Sequence, residues 1–268
     1  MNTKLLSLPK GFHVGAALLV AVLAFAPTAQ AARPPRAVKK TGNATGSYTT
    51  PGGRSGTFTN SVNREPGSST RTTTWNPSTG GQGEQTANRT YDPANGTGTR
   101  SSSTTYPNGT TTSSAGTYTK SGNVTQYNGT YTNTQGQSGT VSETRTKTAN
   151  GYTNDRTVTR PNGQTVTDDR TVTHNPNGTT SIQNSVTGPS GKTVTDNLTR
   201  TPTTNGFTTT GTYTNAQGQN GTVNRVGTQT TNPDGSVTDA VNTTITTPGG
   251  EVKQRDSSVT INPAPPKP

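Results

Sequence analysis

The chain has 268 residues, of which only 22% are hydrophobic, and it carries a formal charge of +11 and no cysteine. Ordinary globular domains are about 45–50% apolar, so this composition excludes a thick hydrophobic core, and the lack of cysteine excludes disulfide cross-links. Three states remain: a thin repetitive β structure held by its backbone ladders, a structure completed by assembly, or a disordered chain.

The N-terminal segment has the composition of a secretory signal. Lys4 and Lys10 precede an apolar run at residues 15–26, and the small residues of an Ala-Gln-Ala string follow. The run is shorter than the roughly 20 residues that a membrane-spanning helix needs. We therefore expect residues 1–31 to be removed, and the mature chain to be secreted or periplasmic with no membrane span.

A basic, proline-containing linker is predicted at residues 32–45. Without the two lysines of the signal, 21 basic and 12 acidic residues leave a formal charge of +9. Clustered basic side chains attract anionic polymers. The candidates for such contact at the new N-terminus are Arg33, Arg36, Lys39 and Lys40.

Turn signals divide the remainder of the chain. Glycine-bearing turns recur every 12–17 residues, in strings such as YPNGT at residues 106–110 and RPNGQ at 160–164. In such strings proline presets the first corner, asparagine tolerates the second, and glycine adopts positive φ. The segments between them are rich in threonine and valine and predict β-strands. The predicted fold is all-β: an elongated, repetitive antiparallel β-meander of hairpins, with a solenoid-like arrangement left open and with disordered tails.

A longer repeat overlies the turns. The string GTYTNTQGQSGTV at residues 129–141 recurs as GTYTNAQGQNGTV at 211–223, and a looser copy lies at 46–58. A fixed period of this kind marks a repeated structural unit. The predicted division is a first repeat at residues 46–128, a second at 129–210, a partial third at 211–257 and a proline-rich tail at 258–268.

The predicted strands have two unlike faces. Successive side chains of a strand alternate, so Val166 and Val172 share one face with Asp168 and Arg170, while threonines fill the other. One face is thus predicted to be a hydroxyl lattice and the other a sparse valine strip with internal charges. The threonines that form the candidate binding surface are Thr165, Thr167, Thr171, Thr173, Thr193, Thr195 and Thr199.

Thr-Val-Thr tripeptides begin at residues 157, 165, 171 and 193. Regular Thr-x-Thr rows on a sheet resemble the ice-binding faces of insect-type antifreeze β-solenoids. The resemblance implies that these faces bind ice or another crystal surface. Threonine is also a plain strand former, which explains the same pattern structurally.

Four aromatic residues are candidates for stacking on sugar rings. Tyr48, Tyr131 and Tyr213 occupy one position of the repeat, and Trp75 is the single tryptophan. The alternative is that these rings cover the edge of a thin core, where an aromatic side chain is the largest apolar body available.

The sequence contains few of the residue types that catalytic and metal sites usually require. His174 is the one histidine after the signal, so a zinc site or a serine triad cannot be assembled. Asp168 and Asp169 are adjacent and should point to opposite faces of a strand, so they cannot converge on one substrate. Asp168 is better explained as the partner of Arg170 in a local ion pair on one face of the strand. We expect no catalytic residues, no metal and no cofactor.

These features predict an exported, non-enzymatic repeat protein of the cell envelope or extracellular matrix. Its partners would be polysaccharide or another anionic envelope polymer, bound by many weak contacts, and further copies of itself. Nucleic acid is not expected as a partner. The alternatives are an ice-binding protein that uses the Thr-x-Thr faces, and a functional amyloid or adhesin stalk.

Overall fold

The computed structural model describes residues 42–262, and every regular element in that range is a β-strand. Several predictions fall outside the described residues: the signal, the basic residues Arg33, Arg36, Lys39 and Lys40, and the end of the tail from residue 263. The strands are β1 (Gly42–Thr49), β2 (Ser55–Glu65), β3 (Ser68–Pro77), β4 (Gly83–Thr90), β5 (Thr97–Thr105), β6 (Thr111–Ser121), β7 (Val124–Thr132), β8 (Ser138–Thr148), β9 (Gly151–Thr159), β10 (Thr165–His174), β11 (Thr180–Thr187), β12 (Thr193–Thr203), β13 (Gly206–Thr214), β14 (Asn220–Thr231), β15 (Val237–Thr246) and β16 (Val252–Ile261).

Each strand pairs antiparallel with the next one along the chain, and β16 pairs with β1 to close a 16-stranded barrel. The predicted all-β antiparallel meander of hairpins is therefore confirmed. The structure adds the closure, because the two ends of the expected elongated sheet meet. The closing seam is short: four residues, Gly46 to Thr49, pair with Ser258 to Ile261. Just beyond it, the Asn262 amide donates to the Thr45 carbonyl at 3.0 Å.

The glycine turns form as their sequences predict. In the turn at residues 133–137, the Asn133 amide donates to the Gln137 carbonyl at 2.9 Å, and the Gly136 amide donates to the Asn133 carbonyl at 3.0 Å. Gly136 has φ of 76°. The Asn133 side-chain oxygen accepts from the amides of Gln135 and Gln137 at 3.0 and 2.9 Å. The second copy of the repeated string forms the same bonds around Asn215.

One face of the sheet is buried and the other is exposed. Because the barrel is a single layer and no other described element covers its outside, the buried side chains are those that point into the barrel. We call this side the inner face and the opposite side the outer face. The predicted alternation is confirmed, since Val172 is buried on the inner face while its neighbour Thr171 lies on the outer one.

The apolar core on the inner face is small. One cluster consists of Tyr48, Phe58, Trp75 and Val259. A second cluster consists of Tyr213, Val223 and Ile245. Barrels of about 16–18 strands are too wide for side chains to fill, and they enclose water. The fold thus gives this sequence, poor in apolar residues, a stable arrangement that does not require a thick core.

The two ends of the barrel differ in chemistry. At the tyrosine end, Tyr48, Tyr131 and Tyr213 are the penultimate residues of β1, β7 and β13. At the opposite end, which we call the basic end, the penultimate residues of β2, β4, β6 and β8 are all cations. These residues are Arg64, Arg89, Lys120 and Lys147.

A candidate anion-binding surface inside the barrel

The basic residues are segregated to one side of the sheet. The described strands contain thirteen lysines and arginines, and the pairing register places every one of them on the inner face. They are Arg64, Arg71, Arg89, Arg100, Lys120, Arg145, Lys147, Arg156, Arg170, Arg200, Arg225, Lys253 and Arg255. The described cations outside strands lie in exposed turns, at Arg54, Arg160 and Lys192.

Acidic residues are distributed differently. Five strand carboxylates lie on the outer face: Glu65, Glu84, Asp155, Asp169 and Asp256. Four lie on the inner face: Glu143, Asp168, Asp196 and Asp239. Among the strand residues, thirteen cations against four anions leave the inner face at +9, and the outer face carries −5. The closed fold therefore concentrates positive charge in the lumen.

Part of this charge is neutralised locally. On β8, β9 and β10, Glu143 lies opposite Arg156, and Arg156 lies opposite Asp168. Burial raises the pKa of Asp168, and the nearby Arg156 and Arg170 oppose that rise. The effect of Arg156, on the neighbouring strand, is larger than that of Arg170, so the ion pair between Asp168 and Arg170 stays a prediction.

Asp196 is the most buried carboxylate of the lumen, with 5% of its surface exposed. Its pKa is raised to about 6, mainly by burial and to a smaller extent by the charge of Asp168, while hydrogen bonds from Asn184 and the charge of Arg170 oppose the rise. The Asn184 amide donates to both Asp196 oxygens at 3.0 and 2.8 Å. This carboxylate is held by the barrel wall and is not open to a ligand.

Four arginines of the inner face are stacked on aromatic rings. The distances from the guanidinium carbon to the ring centre are 5.0 Å for Arg89 on Tyr118, 4.5 Å for Arg100 on Tyr127, and 3.8 Å for both Arg145 on Tyr152 and Arg200 on Phe207. All four arginines remain exposed. Arg89 Nε donates to the Tyr118 hydroxyl at 3.2 Å. The N–H edge of a guanidinium stacked on a ring fits a carboxylate or phosphate with two parallel hydrogen bonds.

The four aromatic residues that are candidates for stacking on sugars are packed into the fold. Trp75 is fully buried, Tyr48 and Tyr213 are nearly so, and Tyr131 is half-buried. Each lies directly opposite a glycine on the neighbouring strand, and its ring occupies the space where that glycine lacks a side chain. The geometry favours the core-edge alternative, because a ring packed in this way offers little face to a sugar.

The predicted threonine surface lies on the outer face. Thr167 is opposite Thr157 and Thr187, and Thr187 and Thr193 are joined by a hydrogen bond of 2.8 Å. The other candidates occupy the same face: Thr165, Thr171, Thr173, Thr195 and Thr199. The hydroxyl rows run across neighbouring strands as predicted. They follow the convex wall of a closed barrel.

The remaining polar candidates show no constellation for catalysis. The register places Asp168 and Asp169 on opposite faces. His174 Nδ1 lies 3.2 Å from the Thr180 hydroxyl at a strand end. Within residues 42–262 no group of three or more His, Cys, Asp or Glu side chains is placed to hold a metal ion.

No helix in the described part of the chain is long and apolar enough to cross a membrane. Comparison of the chain with protein families, with curated proteins and with solved structures finds no match.

Sequence reasoning missed the basic lumen. Along the chain the lysines and arginines after the linker are spread at about one per segment between turns, so no local cluster predicts a basic lumen. The signal that could have revealed it is alternation: in β8, β9 and β10 the cations share strand parity with the valines, as Arg145 does with Val141 and Arg156 does with Val158. The alternation of β10 predicts this shared face for Arg170 and the valines of that strand.

Proposed function

We propose that this chain is an exported, non-enzymatic repeat protein of the cell envelope or extracellular matrix, and that it binds anionic polysaccharide through the inner face of its barrel. The observation that carries the proposal is the segregation of all thirteen described strand cations to that face. If the lysines and arginines served only to solvate the protein, they would be expected on the outer face, because charged side chains usually lie on exposed surfaces.

The physical basis is multivalency in a confined space. Each contact between a cation and a sugar carboxylate is weak in water. The contact is stronger beside the barrel wall, because the wall excludes water from one side. Many such contacts along one polymer act together, so that avidity exceeds the affinity of any single contact. The binding should weaken as salt is added, because ions screen exposed charges over about 10 Å at 0.1 M.

The test is binding of the mature chain, starting at residue 32, to polygalacturonate and to neutral dextran. We expect salt-sensitive binding to the acidic polymer only. A variant in which Arg64, Arg89, Lys120 and Lys147 are changed to glutamine should bind several-fold more weakly. The matched control changes the four cations of the predicted linker, Arg33, Arg36, Lys39 and Lys40, and so removes the same charge from residues that precede β1 in the sequence. Equal losses in the two variants, or equal binding to dextran, would contradict the proposal.

Ice binding is the second candidate, and the hydroxyl rows of the outer face are the observation in its favour. A Thr167→Val and Thr187→Val double variant keeps the strand propensity and removes two hydroxyls from one row. Ice recrystallisation inhibition by the parent chain, lost in this variant, would support ice binding. If the parent chain does not inhibit ice recrystallisation, ice binding is ruled out.

Self-assembly as an amyloid or adhesin stalk would need free strand edges. In residues 42–262 each strand is paired on both sides, so edge pairing requires the seam between β1 and β16 to open.

A further inference from the structure

One set of lumen arginines is regularly spaced and lacks acidic partners. Arg200 on β12 lies opposite Thr209 on β13, and Thr209 lies opposite Arg225 on β14. Arg225 lies opposite Thr243 on β15, and Thr243 lies opposite Arg255 on β16. We call Arg200, Arg225 and Arg255 the arginine row. Because neighbouring strands are about 4.8 Å apart, successive arginines of the row start about 10 Å apart.

The arginine row differs from the rest of the charged lumen. Arg156 has an acid directly opposite it on both neighbouring strands, whereas the residues directly opposite Arg225 are two threonines. The acid of β15, Asp239, lies four residues along the strand from Thr243 and accepts a hydrogen bond from Gln229 at 2.9 Å. The wall therefore supplies little countercharge to the row.

The protonated form of the central arginine is correspondingly disfavoured. Burial lowers the pKa of Arg225, and the charge of Arg200 lowers it further. An anion placed between these two cations would relieve their repulsion. The arginine row therefore carries positive charge that the protein does not neutralise, and a bound anion would stabilise it.

The side chains of the row are also oriented. Arg200 is stacked on Phe207, and Arg225 Nε donates to the Thr243 hydroxyl at 3.4 Å. Thr209 and Thr243 are buried between the arginines. A ligand along the row would meet a cation on every second strand, with a buried threonine on each strand between.

We propose that the arginine row binds the carboxylates of a linear, uronic-acid-containing polysaccharide lying across β12 to β16. This inference rests on the proposed function and assigns its ligand class and its site. In such a polymer, the carboxylates that face one wall of the barrel are separated by sugar rings. These rings carry hydroxyl groups between the carboxylates. Nucleic acid fits less well, because a strand carries one phosphate about every 3.4 Å of helical rise, a denser array than arginines about 10 Å apart.

The experiment compares two charge-matched triple variants of the mature chain. The row variant is Arg200→Gln, Arg225→Gln and Arg255→Gln. The control removes three exposed cations from turns, through Arg54→Gln, Arg160→Gln and Lys192→Gln. The probes are a galacturonate hexamer, the same hexamer with its carboxyl groups reduced, and inorganic polyphosphate of similar length. Affinity is measured by calorimetry at two salt concentrations, and circular dichroism checks that each variant is folded.

We expect the row variant to lose at least about tenfold in affinity for the galacturonate hexamer, since one charge-assisted hydrogen bond contributes roughly that factor. The control should lose less than about threefold, and the reduced hexamer should not bind the parent chain. Equal losses in the two variants would overturn the row as the site while leaving lumen binding intact. Row-dependent binding of polyphosphate that is tighter than that of the hexamer would overturn the ligand class. If the parent chain binds no acidic polymer at all, the proposed function itself fails.

Discussion

At the scale of single residues, pairs of an aromatic ring and a glycine explain the soft repeated string. In GTYTNTQGQSGTV, Tyr131 lies opposite Gly139 across the hairpin, and the ring covers the strand where the glycine leaves a gap. The same pairing recurs at Tyr48 with Gly56, Phe58 with Gly46, Trp75 with Gly83, Tyr118 with Gly98, Phe207 with Gly227, and Tyr213 with Gly221. An aromatic side chain across from a strand glycine is a known means of stabilising sheets.

This pairing predicts that Gly83→Ala is destabilising. A Cβ at Gly83 would overlap the indole of Trp75, with Nε1 only 2.7 Å away. Overpacking of this kind typically costs about 1–3 kcal/mol. We expect a lower unfolding midpoint in urea, and a smaller loss when the same change is made in a Trp75→Leu background. Gly52→Ala is the control, because a Cβ there meets nothing within 4 Å. Equal losses with and without Trp75 would show that the ring is not the cause.

Asp196 predicts a pH dependence of stability. Its folded-state pKa of about 6 lies above its ordinary value of 3.8, so the folded state holds the proton more tightly than the unfolded state does. The contribution of this group is therefore full below about pH 4 and is lost as the pH rises through about 6, at a cost on the order of 2–3 kcal/mol. We expect Asp196→Asn to raise the melting temperature at pH 8 and to leave it nearly unchanged at pH 4.

The matched control for this prediction is Asp169→Asn, which alters an exposed carboxylate of the outer face. It should shift the melting temperature little at either pH. If Asp196→Asn lowers stability at pH 8 more than at pH 4, then the interaction of the ionised carboxylate with Arg170 outweighs its burial, and the assigned cause is wrong.

At the scale of elements, the turns were predictable from the sequence because their chemistry is local. Asparagine and glycine within five residues, joined by proline in many of the turns, define the corner, and Gly136 adopts the positive φ expected of it. The face of each strand was predictable for the same reason, since alternation needs only neighbouring residues. The packing role of Tyr131 was not predictable from the sequence. Its partner, Gly139, lies across the turn and is recognised only once the strand register is known.

The turn glycines give an element-scale prediction. Gly136 has φ of 76°, and a Cβ there would meet nothing within 4 Å, so a substitution would test backbone conformation without a packing term. A left-handed conformation costs an L-residue about 1–2 kcal/mol, and asparagine tolerates it best. Gly136→Ala should therefore lower the free energy of unfolding by about that amount, and Gly136→Asn by less. Equal effects of the two changes would indicate that the turn can adopt another conformation.

At the scale of the whole molecule, closure is what the sequence could not reveal. The Thr45 and Asn262 backbones that meet beside the seam are 217 residues apart, and no local pattern marks such a pair. The basic lumen depends on this closure, because the inner face becomes an interior only when β16 reaches β1. Four residue pairs hold that seam, so it is also where the barrel would open first.

Closure can be tested directly, because the chain has no cysteine of its own. Ser47 and Thr260 lie opposite each other across the seam on the outer face, so cysteines at both positions should be joined within one chain by a short bifunctional maleimide. Cysteines at Ser47 and Thr57, neighbours in the first hairpin, are the positive control. Cysteines at Ser47 and Ser142, which lies on β8 far around the barrel, are the negative control. Faster migration of the Ser47–Thr260 product on a denaturing gel, at the mass of a single chain, is expected because the link closes most of the chain into a loop. Cross-linking no better than that of the negative control would mean that the sheet is open in solution and that its cationic face has no enclosed lumen.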